Sequence, residues 1–189
     1  MRTIYYISAN EHKRNEVQRT FDNELRGSNY TVETLDARID EVQDKDMRVI
    51  AEKKAIAAFA KYHRPIFVEQ TGLLIKSFGM LPGGLTQVFW DALHAEKFAQ
   101  FFVSRDLTEV IAKTVLAYCD GYKVHCFEGE TEGSIVEPRL EECFQWDCVF
   151  KPDGSERTFA EMELSEKNRF SMRKRALEKF AKYLEETYD

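Results

Sequence analysis

The chain has 189 residues, which suits one domain, and 43% of them are hydrophobic, so it can bury a sizeable core. It carries 27 lysine and arginine residues against 33 aspartate and glutamate residues, a formal net charge of -6. This acidic balance argues against a general nucleic-acid groove and against an anionic membrane surface, because both need a basic face. No apolar run approaches the roughly 20 residues that span a bilayer, and the apolar run at the N-terminus is too short for a signal peptide. We therefore expect a cytoplasmic protein.

The cysteines contain no Cys-x-x-Cys pair, which argues against a zinc site. They are Cys119, Cys126, Cys143 and Cys148. In a reducing compartment we expect all four to be free thiols.

The chain begins with the pattern of a strand, a polar turn and a helix. Residues 3–7, with the sequence TIYYI, are typical of a buried strand. Asn10 is a suitable N-cap for the helix that follows, and its apolar face repeats every four residues. That face consists of Val17, Phe21 and Leu25. A turn between a strand and a helix start directs backbone N–H groups at one place, which suits a phosphate group.

A second strand is predicted over residues 30–35, and an alanine-rich helix over residues 47–62. We expect the packed side of that helix to hold Ile50, Ile56, Ala57 and Ala60. A buried strand at residues 66–68 is expected to end in the polar sequence EQTG, before a further strand at residues 73–75. Residues 85–103 then predict a helix rich in aromatic side chains, which we expect in the core or at a subunit contact rather than around a cofactor.

The next part of the chain predicts a β-meander. Asp120-Gly121 between two apolar runs is a strong signal for a hairpin. We expect a turn at residues 129–133 and a short strand at residues 134–136.

The last quarter of the chain combines turn signals with helix starts. Thr158 and Glu161 have the spacing of a capping box. Residues 165–168 predict a polar turn, and the final helix is predicted over residues 171–185. The whole order of elements indicates a single α/β domain, residues 1–189, with a mixed sheet.

Seven short motifs, in this order along the chain, resemble those of the inosine triphosphate pyrophosphatase family. They read SANEHK, EVQ, VEQTGL, LPG, FQWD, KN and SMR. The resemblance covers nearly the whole chain. It implies a two-lobed α/β fold with a mixed central sheet flanked by helices, a cleft between the lobes, and a homodimer. It also implies that the ligand is a deaminated purine nucleotide such as ITP, dITP or XTP, which the family cuts to monophosphate and pyrophosphate with magnesium.

The resemblance assigns ligand contacts to residues of these motifs. Phosphate contacts fall on Ser8, Ala9, Asn10, Lys13, Lys54 and Thr71. Base contacts fall on Phe144, Gln145, Trp146, Asp147, Lys167, Met172 and Arg173. Glu41 and Glu69 would share a magnesium ion bridged to the triphosphate. A donor such as Arg173 would favour hypoxanthine or xanthine, which carry an oxygen at position six, over adenine.

Four positions depart from the family pattern. The family's catalytic aspartate, which ligates magnesium and activates water, is Gln70 here, and Glu69 is the acidic residue beside it. An amide is neutral, accepts no proton at physiological pH, and is a poorer ligand for a hard cation than a carboxylate. The family's histidine before the last arginine is Met172, and two of its glycines are Leu140 and Gln145.

These departures leave more than one function open. The first hypothesis is a binding module that captures ITP, dITP or XTP with weak or absent hydrolysis, as a nucleotide sensor or a regulatory subunit of, for example, an antiviral effector complex. The alternative is an active pyrophosphatase in which Glu69 or Glu41 activates the water. A third possibility is a structural relic that binds no ligand.

Overall fold

A computed structural model of the chain describes residues 2–24, 29–140 and 144–188. The strands are β1 (Arg2–Ile7), β2 (Tyr30–Leu35), β3 (Ile66–Ile75), β4 (Leu81–Gly83), β5 (Glu109–Cys119), β6 (Val124–Ile135) and β7 (Phe150–Pro152). The α-helices are α1 (Glu11–Glu24), α2 (Met47–Tyr62), α3 (Thr86–Val103), α4 (Leu164–Phe170) and α5 (Met172–Tyr188). Short 3-10 helices cover Lys76–Phe78, Gln145–Cys148 and Phe159–Glu161.

The strands form a mixed sheet in the order β2-β1-β3-β5-β6-β7, and β4 pairs with β3. Strand β1 lies parallel to both β2 and β3, as expected where helices connect consecutive strands. The short strands β4 and β7 pair antiparallel with β3 and β6. The predicted α/β fold with a mixed sheet flanked by helices is confirmed.

The chain divides into two compact units. The first unit consists of Met1–Gln70, Thr114–Gly129 and Arg173–Asp189. The second unit consists of Thr71–Lys113 and Glu130–Met172.

The core of the first unit is built around aromatic rings in tilted and edge-to-face contact. The Tyr6 and Phe67 ring centroids lie 4.9 Å apart, and Phe67 and Phe180 lie 5.0 Å apart. A second apolar cluster forms where α2 packs on the sheet, through Met47, Ala51, Ala55 and Ala58. Ile50 is buried as predicted, but the prediction that Ile56, Ala57 and Ala60 face the core is wrong, because all three are exposed, Ile56 by 55%. In an alanine-rich helix both faces look apolar, so the sequence gives a weak signal for the packed side.

The core of the second unit is also aromatic. Phe98 and Phe102 of α3 are fully buried, and Trp90 packs edge-to-face on Phe98 with centroids 5.4 Å apart. Phe150 and Phe159 lie 4.8 Å apart in the same cluster. The aromatic residues of α3 therefore lie in the core of the second unit. This is one of the two locations predicted from the sequence, which were the core and a subunit contact.

Two predicted breaks in the strands are absent from the part of the chain described above. Strand β3 continues through the polar sequence EQTG, and β6 continues through residues 129–133. A Cβ atom at Gly133 would lie 2.4 Å from the carbonyl oxygen of Lys151, so this glycine allows β7 to approach β6 closely. The glycine signals close pairing here rather than a turn.

The C-terminal predictions are partly confirmed. Thr158 and Glu161 form the predicted capping box. Residues 165–168 lie in α4 instead of a polar turn, since a helix this short offers little apolar periodicity. Cys119 and Cys126 are free thiols. Cys148 takes part in a disulfide bond, so the prediction of a free thiol is wrong there, while Cys143 and Leu25 lie outside the described residues.

Among the helices described above, each is too short or too polar to cross a lipid bilayer.

Candidate functional site

The end of β1 and the start of α1 form a tight polar turn in the first unit. The Ser8 hydroxyl accepts a hydrogen bond from the Asn10 backbone N–H at 3.2 Å. The Asn10 side chain accepts from the Lys13 backbone N–H at 3.1 Å, so Asn10 is the helix cap, as predicted. Ala9 between them is exposed. The turn presents the N-terminus of a 14-residue helix, where backbone N–H groups and the helix dipole attract an anion.

Glu69 lies at the same edge of the sheet as this turn. Strands β1 and β3 are parallel and Tyr6 is opposite Phe67, so Ser8 and Glu69 follow side by side. The Glu69 side chain is only 2% exposed. A buried carboxylate is costly unless charged partners and hydrogen bonds compensate it.

Two cations compensate the buried Glu69 carboxylate. Arg173 donates to it through Nε at 2.8 Å and through Nη2 at 2.9 Å, a two-pronged pairing. Lys13 Nζ lies 2.9 Å from the same carboxylate. The remaining guanidinium nitrogen of Arg173, Nη1, donates to Glu16 on α1. Arg173 is itself buried, so this is an internal charge network and not a surface ion pair.

The network shifts the proton affinities of its members. Burial alone would raise the pKa of Glu69, but Arg173 and then Lys13 outweigh it and hold that pKa well below its usual range. Burial lowers the pKa of Lys13, although Glu69 opposes the shift. Glu69 therefore stays ionised at neutral pH and has little tendency to accept a proton.

A second ion pair lies beside this network. Lys54 of α2 donates to the Glu41 carboxylate and also, at 3.3 Å, to the backbone carbonyl oxygen of Glu69. Lys54 thus holds Glu41 close to Glu69 on β3. This places the predicted phosphate and metal residues Lys13, Lys54, Glu41 and Glu69 together.

The donor set does not fit a magnesium ion as it is arranged here. Arg173 and Lys13 already engage the Glu69 carboxylate, and Lys54 engages Glu41. Gln70, which follows Glu69, is half-buried and contributes a neutral amide. Across residues 2–24, 29–140 and 144–188, no group of three or more His, Cys, Asp or Glu side chains could hold a metal.

The predicted base-binding residues, apart from Arg173, belong to the second unit. Lys167 of α4 donates to the Asp147 carboxylate and lies 5.2 Å from the centroid of the Phe159 ring. Asp147 is mostly buried, so the lysine compensates its charge. Asp147 and Lys167 are therefore ion-pair partners of one another. The sequence analysis predicted each of them separately as a base contact.

The segment that carries Phe144 turns tightly at the next residue. Gln145 has φ 49°, the left-handed region that favours glycine. Its side chain donates to the Gln87 side chain of α3 at 2.9 Å. Phe144 is half-buried just before the turn. The bulky residue in a glycine position, noted in the sequence, therefore occupies a glycine-like conformation.

Three other predicted residues have different surroundings. Trp146 and Met172 are buried in the aromatic core of the second unit, where Trp146 packs edge-to-face on Phe150. Thr71 is the first residue of that unit and is half-buried on β3. Their roles as ligand contacts stay predictions.

The sequence analysis missed one residue of the Glu69 network. Glu16, the second carboxylate bound to Arg173, lies three residues after Lys13 on one face of α1, a spacing that could have identified it. Arg173 was predicted to contact the base, but its contacts described here are with acids of the first unit.

Comparison with known proteins identifies the family. The Ham1 family model matches residues 4–183. The "Inosine triphosphate pyrophosphatase" of Candida glabrata is 34% identical over 185 residues, covering 96% of this chain and 96% of that protein. The "dITP/XTP pyrophosphatase" of Hyperthermus butylicus is 32% identical over 184 residues, covering 97% and 95%.

Solved structures agree with this assignment. A HAM1 protein from Coxiella burnetii matches with a TM-score of 0.84 and 25% identity, covering 99% of this chain and 100% of that one. The Ham1 protein of Staphylococcus aureus, at 19% identity, has the same fold with a TM-score of 0.78. With a family match along nearly its whole length and relatives above 30% identity, the chain belongs to the Ham1 family.

Proposed function

We propose that this protein binds deaminated purine nucleoside triphosphates, such as ITP, dITP and XTP, and hydrolyses them slowly or not at all. The observation that carries the proposal is Gln70, an amide at the position where the family resemblance implies a catalytic aspartate. General-base catalysis contributes typically 10²–10⁴-fold to a rate, so its loss alone removes most of the turnover.

The neighbouring carboxylate is poorly suited to replace the missing base. Glu69 is buried, engaged by Arg173 and Lys13, and has a pKa well below its usual range. A carboxylate with a lowered pKa is a weaker base, and its hydrogen-bonding positions are already used. These contacts support binding without efficient water activation.

The chemistry of binding is retained. The first unit offers the N-terminus of α1 and the cations Lys13 and Lys54 for a triphosphate. The second unit offers Phe144 for stacking and the Asp147–Lys167 pair for the base edge. Relatives named for ITP and for dITP and XTP support a deaminated purine as the ligand.

Binding without turnover has a consequence for the role of the protein. A protein that does not cleave its ligand can act only through the bound state, so the proposal extends to a nucleotide sensor or regulatory subunit with an effector protein as partner. A homodimer, a cleft that holds the ligand, and a cytoplasmic location remain part of the same proposal.

Magnesium enters this proposal with the triphosphate rather than through protein carboxylates. The carboxylates of Glu41 and Glu69 are engaged by lysine and arginine side chains. We therefore expect the ligand-induced stabilisation to depend only weakly on magnesium. The test compares the melting temperature of the protein with dITP in the presence of magnesium and in the presence of EDTA.

The test combines two measurements on the purified protein with dITP and magnesium. The melting temperature should rise, since a ligand at a hundredfold excess over its Kd stabilises the folded state by about 2.7 kcal/mol. Pyrophosphate release over the same period should stay near background, and dATP should give a smaller rise. Rapid pyrophosphate release overturns the claim of weak hydrolysis, and the lack of a thermal shift with every purine triphosphate overturns binding.

A working pyrophosphatase is the second candidate. The names of the relatives favour it, because proteins with 32–34% identity over nearly the whole chain are called pyrophosphatases. In that case Glu41, whose side chain is 36% exposed, is better placed than Glu69 to activate water. The pyrophosphate assay separates the two candidates directly.

A further inference from the structure

Arg14, in the first turn of α1, links the polar turn at residues 8–10 to the segment that follows β2. Its Nη1 donates to the Ser8 carbonyl oxygen at 2.7 Å and to the Asp36 carboxylate at 3.1 Å. Its Nη2 donates to the other oxygen of the same carboxylate at 3.2 Å. One guanidinium therefore holds the backbone of the turn and a side chain beyond the end of β2 at the same time.

The ion pair with Asp36 does not by itself explain this arrangement. The Asp36 side chain is 71% exposed, whereas the Arg14 side chain is only 15% exposed. An ion pair whose acid lies mostly in water contributes little to stability. A cation in the first turn of a helix also opposes the helix dipole. The contact that makes use of the mostly buried position of Arg14 is the one with the Ser8 carbonyl.

The backbone of Ser8 is held on both sides. Its N–H donates to the carbonyl oxygen of Leu35 at 3.2 Å, and its carbonyl accepts from Arg14. The peptide bond that joins Ser8 to Ala9 is planar and trans, so the Ser8 carbonyl and the Ala9 N–H point in opposite directions. By holding this carbonyl, Arg14 fixes the direction of the Ala9 N–H.

The direction of this N–H matters for an anion. Ala9 is exposed and lies two residues before the start of α1, where the proposed function puts the triphosphate. Successive backbone N–H groups in such a turn attract phosphate oxygens. A rotated peptide would present the Ser8 carbonyl oxygen to the anion instead, which replaces a hydrogen-bond donor by a repelling acceptor. A turn that is already held in the donor orientation spends less free energy on ordering when the ligand binds.

We propose that Arg14 is a positioning residue for the triphosphate group: its hydrogen bond to the Ser8 carbonyl keeps the Ala9 N–H directed at the ligand. The inference rests on the proposed function and adds to it a residue outside the predicted ligand contacts. Asp36 anchors the guanidinium from the solvent side. In this arrangement Arg14 acts on the ligand through the backbone and not through its own charge.

The first experiment compares Arg14→Met with the wild-type protein, using dITP as the probe. The Kd, measured by isothermal titration calorimetry, should rise about tenfold, the effect of one misdirected hydrogen bond to a charged group. Arg19→Met is the matched control, because it removes the same charge from an exposed position of the same helix. It should change the Kd by less than about twofold, since solvent and salt screen a distant surface charge.

A second measurement follows the Ala9 amide directly by NMR. In the wild type its proton resonance should move downfield when dITP saturates the protein, as expected for an N–H that donates to a phosphate oxygen. In Arg14→Met, also at saturation, the movement should be smaller. A residue that only stabilises the fold would leave this movement unchanged.

Asp36→Ala separates positioning from a direct effect of charge. Without its anchor, Arg14 holds the Ser8 carbonyl less firmly, so the Kd for dITP should rise by about two- to fivefold. If the Arg14 charge acted on the ligand itself, removal of the opposing acid would lower the Kd. This variant retains Arg14, so it tests the role even if Arg14→Met fails to fold.

The outcomes distinguish this proposal from the proposed function. If the wild type binds dITP and Arg14→Met binds it equally well, the role of Arg14 is refuted and the proposed function stands. An equal loss of affinity in Arg19→Met, or tighter binding by Asp36→Ala, shows an effect of charge and also refutes positioning. If the wild type binds no purine triphosphate, both proposals fail together.

Discussion

Residue 69 illustrates how one buried charge organises its surroundings. Glu69 follows the buried apolar residues Ile66, Phe67 and Val68 on β3, and burying its carboxylate is unfavourable by itself. Arg173 and Lys13 reverse the balance through three short contacts, and Glu16 satisfies the rest of the guanidinium. Glu69 of β3 is thus tied to Lys13 on α1 and to Arg173 on α5.

The first prediction at this scale concerns Arg173. Arg173→Met should destabilise the protein by about 3–5 kcal/mol, because it leaves the buried Glu69 carboxylate and Glu16 without their shared partner. Urea unfolding measures the loss. The exposed Arg19 on α1 provides the control, and Arg19→Met should change stability by less than about 0.5 kcal/mol.

A double variant sharpens that prediction. Arg173→Met combined with Glu69→Gln should recover part of the lost stability, because the uncompensated buried charge is removed together with its partner. Equal or greater destabilisation in the double variant would show that packing of the arginine, not its charge, matters.

The second prediction at this scale concerns Gln70. Gln70→Asp restores a carboxylate at the position of the family's catalytic acid, and pyrophosphate release from dITP should rise by roughly 10²–10⁴-fold. Gln70→Asn changes the side-chain length without adding a charge, so it should leave the rate near background. An unchanged rate in Gln70→Asp would mean that Gln145 or Met172 has also altered the site.

At the scale of elements, the segment from Phe144 to Cys148 combines an unusual backbone with an unusual residue. Gln145 adopts φ 49°, and its side chain is bonded to Gln87 of α3. A non-glycine residue in the left-handed region costs roughly 1–2 kcal/mol. The hydrogen bond to Gln87 offsets part of this cost and ties the half-buried Phe144 to a helix.

The prediction for this element compares two variants that both lose the bond to Gln87. Gln145→Gly should be more stable than Gln145→Ala by about 1 kcal/mol, because glycine adopts φ 49° without steric cost. Guanidinium unfolding measures the difference. Equal stabilities would indicate that the turn relaxes to another conformation once the side chain is shortened.

At the scale of the whole molecule, the Glu69 network predicts how stability depends on pH. The folded-state pKa of Glu69 lies below its unfolded value of about 4.3. Ionised Glu69 therefore contributes stability at pH values above about 4.3, and this contribution is lost as the pH falls below that value towards the folded-state pKa.

Glu69→Gln tests this pH dependence. The variant should be less stable than the wild type at pH 7, and the difference should shrink as the pH falls from about 5 to 3, because Glu69 of the unfolded wild type takes up a proton in this range, while the folded carboxylate stays ionised and the amide does not titrate. Urea unfolding at each pH measures it. Glu33→Gln, at an exposed position of β2, should show a pH-independent difference from the wild type.

Much of the fold follows from local patterns that the sequence contains. The strand over residues 3–7, the Asn10 cap, the hairpin at Asp120-Gly121 and the capping box at Thr158 each depend on neighbours in the chain, and each is confirmed. The failures share a cause. Distant segments decide which face of α2 is buried, which leaves Ile56 exposed, and how closely β7 approaches Gly133, and no local pattern records either.

The amino-acid sequence alone determined the family, the α/β class and the amide at position 70, since these depend on residue identity and on order along the chain. The tertiary structure alone decided that Arg173 and Lys13 neutralise Glu69, and that Asp147 pairs with Lys167. Those contacts join residues up to 104 positions apart, and the free energy of a buried charge depends on which groups surround it in space.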